Sequence, residues 1–352
     1  MNNNFNQSGQ FGGWTPYSYG NGAGMYNEQY LRNIQKEQEK EKIKKISNSC
    51  FFAVILYVLI SYGISFLIVF TSWVFPSISK IYNESLPSLA FDIILSFLTI
   101  GIPFFIAHLM MKKQKLTVVS LPFGTTINKK ASKYLVMVFL PVIIISAIVI
   151  NYFSSFLQGK LGVEFTSAVN DITLNGAKET FLGVLSIAVV PAIIEETIIR
   201  GIVMQPLRKY GDAFAIFASA GVFACMHGNL VQIPYTIVGG LLLGFLMVLT
   251  GSLWPCIVLH FINNLYSVIL VSVNDNFGDK AAIIVTGIMI LGFVITGLIG
   301  TIKLLSMKYK VDLSAGETLL TSKEKASSFL KNGPAIIAII LLVLVTLSNI
   351  KF

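Results

Sequence analysis

The stretch from Ala213 to Asn274 contains no aspartate, glutamate, lysine or arginine. About 20 consecutive apolar residues are enough for one helix to cross a bilayer, so this stretch is long enough for several crossings. Turn-forming residues at Gly228-Asn229 and Thr250-Gly251-Ser252 divide it into three apolar segments. A chain built around such a stretch is a membrane protein.

The remaining sequence agrees with this interpretation. Only 12% of the residues are charged and 54% are hydrophobic, with a mean hydropathy of +0.74, whereas a soluble domain has about 25% charged residues. We predict an all-α fold: a polytopic transmembrane helical bundle of about eight or nine spans. The predicted spans are 50–74, 89–111, 134–157, 181–203, 213–227, 231–249, 252–272, 281–302 and 334–350.

The distribution of lysine and arginine predicts the orientation. Short cytosolic loops carry an excess of these residues. With the N-terminus in the cytosol, the inner segments 31–48, 112–133, 201–212 and 303–333 carry twenty of them. The outer segments 75–88, 158–179, 273–280 and the tail carry five. We therefore expect a multi-pass plasma-membrane protein in the lipid bilayer with a cytosolic N-terminus. The net charge of +9 reflects these loops and does not indicate a nucleic-acid partner.

Four regions follow from this pattern. Residues 1–49 form a cytosolic region, of which 1–27 are too poor in apolar residues to fold and 28–48 form a charged helix. Residues 50–157 hold the N-terminal transmembrane helices, 180–272 a transmembrane core and 281–352 the C-terminal transmembrane helices.

Three charged residues lie at the end of an apolar run. Glu195, Glu196 and Arg200 follow the run from Phe181 to Ile194. Charged groups are rare inside membranes, where they pair with one another or mark a functional path. In a helix of about 3.6 residues per turn, Glu196 and Arg200 share a face, and Glu195 is turned about 100° away from Glu196. We expect an ion pair between Glu196 and Arg200, and a different role for Glu195.

Two histidines lie in the charge-free stretch. Phe223 precedes His227 by one helical turn, and Asn264 follows His260 by one turn, so each pair shares a helix face. A glutamate can take a proton from water, and a histidine and an amide can donate to a developing oxyanion. Glu195, His227, His260 and Asn264 are therefore candidate catalytic residues of a hydrolase.

Two other chemistries remain open for these residues. Zinc accepts imidazole and carboxylate ligands, so Glu195, His227 and His260 could hold a zinc ion with a water in the fourth position. The zincin pattern H-E-x-x-H is absent, and the permanent cation of Arg200 disfavours a second cation nearby. A mechanism through Cys256, one turn before His260, is less favoured because a thiol buried in apolar surroundings is inert.

At these residues the chain resembles the CAAX protease and bacteriocin-processing family, also called the Abi or type II CAAX prenyl endopeptidase family. That family carries E-E-x-x-x-R, F-x-x-x-H and H-x-x-x-N on successive helices. The same three motifs occur here in this order, starting at Glu195, Phe223 and His260. The resemblance covers residues 180–272 and implies that this transmembrane core is the catalytic one.

The resemblance implies an intramembrane endopeptidase with a cavity that opens toward the cytosol. In it, Glu195 and His227 activate a water, and His260 and Asn264 stabilise the oxyanion. Glu196, Arg200 and Phe223 support them. The implied partner is a peptide or membrane-protein substrate, and the implied mechanism needs no cofactor.

Two further function classes remain open. The chain could be a non-catalytic membrane protein of the bacteriocin-immunity or regulatory type, for which binding alone is enough. A transporter would favour inverted repeats and broken helices, and the sequence shows neither.

Overall fold

The computed structural model describes residues 21–77, 85–117, 121–124, 128–162, 164–165, 173–229 and 231–351. Within them the chain forms ten helices and one pair of short strands. The helices are α1 (Asn21–Val74), α2 (Leu86–Lys113), α3 (Lys129–Leu161), α4 (Ala177–Arg208), α5 (Asp212–Cys225), α6 (Gln232–Thr250), α7 (Leu253–Phe277), α8 (Asp279–Ser306), α9 (Ser322–Leu330) and α10 (Gly333–Ser348). The strands β1 (Glu164–Phe165) and β2 (Ile350–Lys351) pair antiparallel.

Seven of these helices are long and apolar enough to cross a membrane, and the bent pair α9–α10 brings the number to eight. Helix α5 has 14 residues, which at about 1.5 Å per residue do not span a hydrocarbon core of about 30 Å. The predicted polytopic helical bundle is confirmed. The predicted span 213–227 is this short helix, and the predicted span 334–350 follows a bend of 72°.

Helix α1 joins two predicted elements. The charged run 28–48 and the first span 50–74 form one helix of 54 residues, so the boundary predicted after residue 49 falls inside a continuous helix. Residues 21–27 are helical, although the composition predicted disorder for 1–27. Residues 1–20 lie outside the described part of the chain.

The segments rich in lysine and arginine meet at one end of the bundle, which we call the basic end. Lys40 on α1 lies 3.5 Å from the carboxylate of Glu324 on α9. The ammonium group of Lys325 donates to the carbonyl of Tyr210 at 2.8 Å. Lys115 lines the same surface pocket as side chains from α1 and from the end of α4. The four predicted inner segments are therefore neighbours.

The segments poor in lysine and arginine meet at the other end, which we call the low-charge end. The backbone N–H of Leu174 donates to Asp275 at 2.7 Å, and the amide of Asn276 donates to the carbonyl of Leu174 at 2.8 Å. Glu164 pairs with Lys351 in the strand ladder. Helix α3 runs from the basic end to the low-charge end. The separation of the two groups of loops agrees with the charge count, and the cytosolic location of the basic end stays a prediction.

The core is densely packed on the basic side of the bundle. Ile199 and Met204 of α4, Leu246 of α6, and Leu253 and Cys256 of α7 are all fully buried there. This packing fixes the positions of α4, α6 and α7 relative to one another.

Candidate active site

Helix α4 carries both glutamates on a short α-helical segment between two π-helical segments. Val190–Glu196 is α-helical, whereas Val184–Val189 and Thr197–Val203 are π-helical. A π-helical segment widens the helix and is rare except as a single bulge, often at a functional site. The backbone on either side of the segment that carries Glu195 and Glu196 is therefore wider than in an uninterrupted α-helix.

Glu196 and Arg200 form the ion pair that their spacing predicts. Arg200 Nε lies 3.1 Å from Glu196 Oε2, and both side chains are completely buried. The Nε–H does not point at this oxygen within hydrogen-bond limits, so the contact is mainly one of charge. Arg200 also donates from Nη2 to the carbonyl of Gly240 at 3.4 Å, and its guanidinium lies 5.2 Å from the ring centroid of Phe223. A cation over an aromatic face gains electrostatic attraction.

A close approach of two helices makes the contact with Gly240 possible. A Cβ atom at Gly240 would lie 3.1 Å from the Cα of Ala220 on α5, closer than ordinary carbon contacts. The glycine therefore lets α5 and α6 pack together. This packing brings the Gly240 carbonyl and the Phe223 ring to the same guanidinium.

The other oxygen of Glu196 holds His260. The His260 Nδ1–H donates to Glu196 Oε1 at 2.8 Å, which produces a buried chain from Arg200 through Glu196 to His260. The sequence predicted only the Arg200 part of this chain. His260 Nε2 lies 3.8 Å from Oε2 of Glu195. Glu196 therefore orients the imidazole of His260 through Nδ1, and Glu195 faces Nε2 of the same ring.

Phe223 lies between the two histidines. The His227 Nδ1–H donates to the carbonyl of Phe223 at 2.9 Å, and the two rings meet edge to face with centroids 4.8 Å apart. The ring of His260 lies 6.2 Å from that of Phe223, also edge to face. In the neutral ring, the hydrogen at Nδ1 leaves Nε2 of His227 without one, and that nitrogen can accept a hydrogen bond.

Asn264 is tied to the backbone of α4. Its Nδ2 donates to the carbonyl of Ile187 at 3.0 Å. In an α-helix this carbonyl would accept from the residue four positions later, which is Pro191, and proline has no N–H. Asn264 thus supplies a donor that Pro191 cannot. An amide nitrogen carries two hydrogens, so one donor of Asn264 is still available.

Asn263 and Tyr235 belong to the same group, and the sequence analysis missed both. Asn263 Nδ2 donates to Asn264 Oδ1 at 3.0 Å and also contacts the hydroxyl of Tyr235. The signal that could have pointed to Asn263 is a tandem Asn-Asn in an apolar helix, because a buried amide needs a partner. Nothing local marks Tyr235, since its role depends on how α6 packs against α7.

All four predicted catalytic residues line one cavity of about 290 Å³ inside the bundle. Phe223 also lines it, whereas Glu196 and Arg200 lie behind its wall. The lining residues are Ile143, Ala147, Ile187, Pro191, Glu195, Phe223, His227, Gln232, Tyr235, Thr236, Gly239, Leu243, His260, Asn263, Asn264, Tyr266 and Ser267. The volume of the cavity lies just below the usual range for ligand pockets, about 300–1,000 Å³.

The part of the chain that contains these residues matches a known protein family. Residues 177–266 match the family model described as Type II CAAX prenyl endopeptidase Rce1-like. This segment belongs to the CAAX protease family. It covers about a quarter of the chain and runs from the start of α4 into α7. It includes the four predicted catalytic residues together with Glu196, Arg200 and Phe223, but not the lining residues Ile143, Ala147 and Ser267. At the level of the family, this segment is similar to CAAX-protease-like intramembrane endopeptidases. No curated protein and no solved structure matches the chain.

Among the described residues, no three histidine, cysteine, aspartate or glutamate side chains are close enough to hold one metal ion. Glu195, His227 and His260 line a common cavity but do not form such a cluster. Cys256 is fully buried, with its thiol donating to the carbonyl of Leu243 at 3.4 Å, and it does not line the cavity.

Proposed function

We propose that this CAAX protease family member is a glutamate-dependent intramembrane endopeptidase. It hydrolyses a peptide bond in a peptide or membrane-protein substrate and uses no catalytic metal. The observation that carries the proposal is the convergence of Glu195, His227, His260 and Asn264 on one cavity inside a transmembrane bundle. A prenylated substrate is not part of the proposal, because the cavity contains no feature that requires a lipid chain.

Glu195 and His227 activate the water. Glu195 is partly exposed to the cavity, and it is the only carboxylate among the described lining residues. In the neutral ring of His227, the Nδ1–H is donated to the Phe223 carbonyl and Nε2 is a hydrogen-bond acceptor. A water between these two acceptors donates one hydrogen to each of them, which leaves a lone pair of its oxygen for the attack. Glu195 removes its proton as the oxygen attacks the carbonyl carbon, and the same proton then goes to the departing amine.

His260 and Asn264 stabilise the oxyanion that this attack creates. The carboxylate of Glu196 accepts the Nδ1–H of His260 and orients the ring. In its protonated form the ring also carries an Nε2–H, which can donate to the developing negative charge. The second amide hydrogen of Asn264 supplies another donor. Donors that are already oriented cost no rearrangement when the charge appears, and one such donor is worth about 2.7–4 kcal/mol of the barrier.

A comparison of peptide profiles tests the proposal. We expect membranes with the wild-type protein to contain cleaved fragments that are missing with Glu195→Gln, together with less of the uncleaved precursors. Glu179→Gln makes the same change on α4 outside the cavity and serves as the control. If wild-type and Glu195→Gln membranes give the same profile at equal protein amounts, the protein is not a Glu195-dependent protease. A phenotype that survives this change would favour the immunity or regulatory class instead.

A further inference from the structure

The lining of the catalytic cavity has a direction along the bundle. Helices α4 and α6 run toward the basic end. On α4 the lining residues Ile187, Pro191 and Glu195 are all partly exposed, and the completely buried Glu196 and Arg200 follow them. On α6 the partly exposed Gln232 precedes the buried Leu243. On both helices, the lining residues farther from these buried positions therefore lie closer to the low-charge end.

The helices of opposite direction give the same result. On α7, which runs away from the basic end, Ser267 follows the buried His260 and is exposed. On α3, the partly exposed Ala147 follows the buried Ile143. Three helices, of both directions, thus place the buried part of the lining toward the basic end and the accessible part toward the low-charge end. On α4 the buried turn that follows the lining residues lies on the same side.

The basic side of the cavity is closed by the core. Arg200 is completely buried directly beyond Glu196, and the next turns of α4, α6 and α7 contribute buried apolar side chains. These are Ile199, Ile202, Val203, Leu246, Met247, Leu253, Cys256 and Ile257. A substrate coming from the basic end would have to displace this packed layer, which costs far more than entry through the partly exposed rim.

We propose that the catalytic cavity admits its substrate from the extracytoplasmic face of the membrane. The cavity opens toward the low-charge end, and the charge distribution puts the low-charge end outside. This is opposite to the cytosolic opening that the family resemblance implies. The direction of opening follows from the lining residues alone, whereas the existence of a substrate rests on the proposed function.

The lining also restricts what can enter. Among the described lining residues, Glu195 is the only one of the aspartate, glutamate, lysine and arginine types, and apart from the two histidines the others are apolar or uncharged polar residues. A volume of about 290 Å³ holds a few side chains of an extended chain but no folded element. The substrate class is therefore an extended, largely uncharged peptide segment that is available on the outer face. Examples are the outer flank of a membrane helix or a secreted peptide.

Cysteine labelling in intact cells tests the opening. The background variant replaces Cys50, Cys225 and Cys256 by alanine. A matched pair of sites is then compared: Gln232→Cys at the rim of the cavity, and Gln205→Cys on α4 in the pocket at the basic end. A membrane-impermeant sulfonated maleimide is applied to intact or permeabilised cells, and the remaining thiols are counted by a mass tag. We expect Gln232→Cys to react in intact cells and Gln205→Cys only after permeabilisation.

A second pair and a catalytic variant make every outcome informative. Ser267→Cys and the exposed Ser306→Cys should repeat the contrast between the rim and the basic end. Reaction of Gln232→Cys only after permeabilisation would place the opening in the cytosol and overturn the proposal, and so would a site that never reacts. The labelling needs no turnover, so Glu195→Gln should not change it. If that variant still cleaves peptides, the proposed mechanism fails while the opening stands.

Discussion

The Nδ1 of His260 lies 2.8 Å from Oε1 of Glu196, although 64 residues separate them in the chain. This contact gives Glu196 two partners, since its other oxygen faces Arg200. A buried carboxylate between a guanidinium and an imidazole orients both of them. Glu196 therefore acts as a positioning residue for His260, whereas Glu195 faces the cavity.

Removing the amide of Asn264 should leave the carbonyl of Ile187 without this donor, because Pro191 has no N–H that could replace it. In Asn264→Ala the carbonyl of Ile187 loses a buried donor, which costs about 1–3 kcal/mol. Pro191→Ala restores an N–H four residues after Ile187. The double variant should therefore be more stable than the sum of the single effects, with a coupling of about 0.5–3 kcal/mol. Thermal unfolding of the four proteins in detergent measures this cycle.

Peptide cleavage separates the two roles of Asn264. The double variant should regain stability but not activity, because the alanine offers no donor to the oxyanion. Asn263→Ala removes the neighbouring amide and leaves the bond to Ile187, so it serves as a control for the cycle. Strictly additive unfolding energies would contradict the link between Pro191 and Asn264, and full activity in Asn264→Ala would contradict its oxyanion role.

The parts of the site that the sequence predicts are those within one helix. Pairs four residues apart, such as Glu196 with Arg200, meet because helix geometry is independent of the rest of the fold. The partners of His260 and Asn264 on α4 depend on how α7 packs against that helix, and one sequence contains no record of this packing. The π-helical segments beside the glutamates were also missed, because they need a widened helix that no residue pattern in α4 indicates.

Treatment with a chelator should leave the activity unchanged. The proposed water is held by Glu195 and His227, and no described set of three side chains forms a metal site. Cleavage is measured with and without 1,10-phenanthroline, with the non-chelating 1,7-isomer as the control. Loss of activity that returns when zinc is added would make Glu195, His227 and His260 metal ligands and would refute the metal-free mechanism.

Cys256→Ser should retain nearly all of the activity. The thiol is fully buried and donates to the Leu243 carbonyl, and a serine hydroxyl can make the same bond. Cleavage rates and the amount of folded protein are compared with Cys225→Ser, a change at a half-buried cysteine outside the cavity. A large drop in rate for Cys256→Ser at a normal protein amount would show that the thiol takes part in the reaction.

The two glutamates should fail in different ways. Glu196→Gln removes the charge that balances Arg200 and weakens the acceptor for His260, and both partners are buried. Breaking a buried ion pair costs about 3–5 kcal/mol, so this variant should be poorly folded or poorly expressed. Glu195→Gln should keep its fold, because a neutral amide is easier to bury than a carboxylate, but an amide cannot take the proton from water. Its cleavage rate should fall by about 10²–10⁴-fold, the usual contribution of a general base. Yield after detergent extraction, melting temperature and peptide cleavage are measured on the same preparations. If Glu195→Gln loses protein while Glu196→Gln keeps its fold and loses only cleavage, the two roles are reversed.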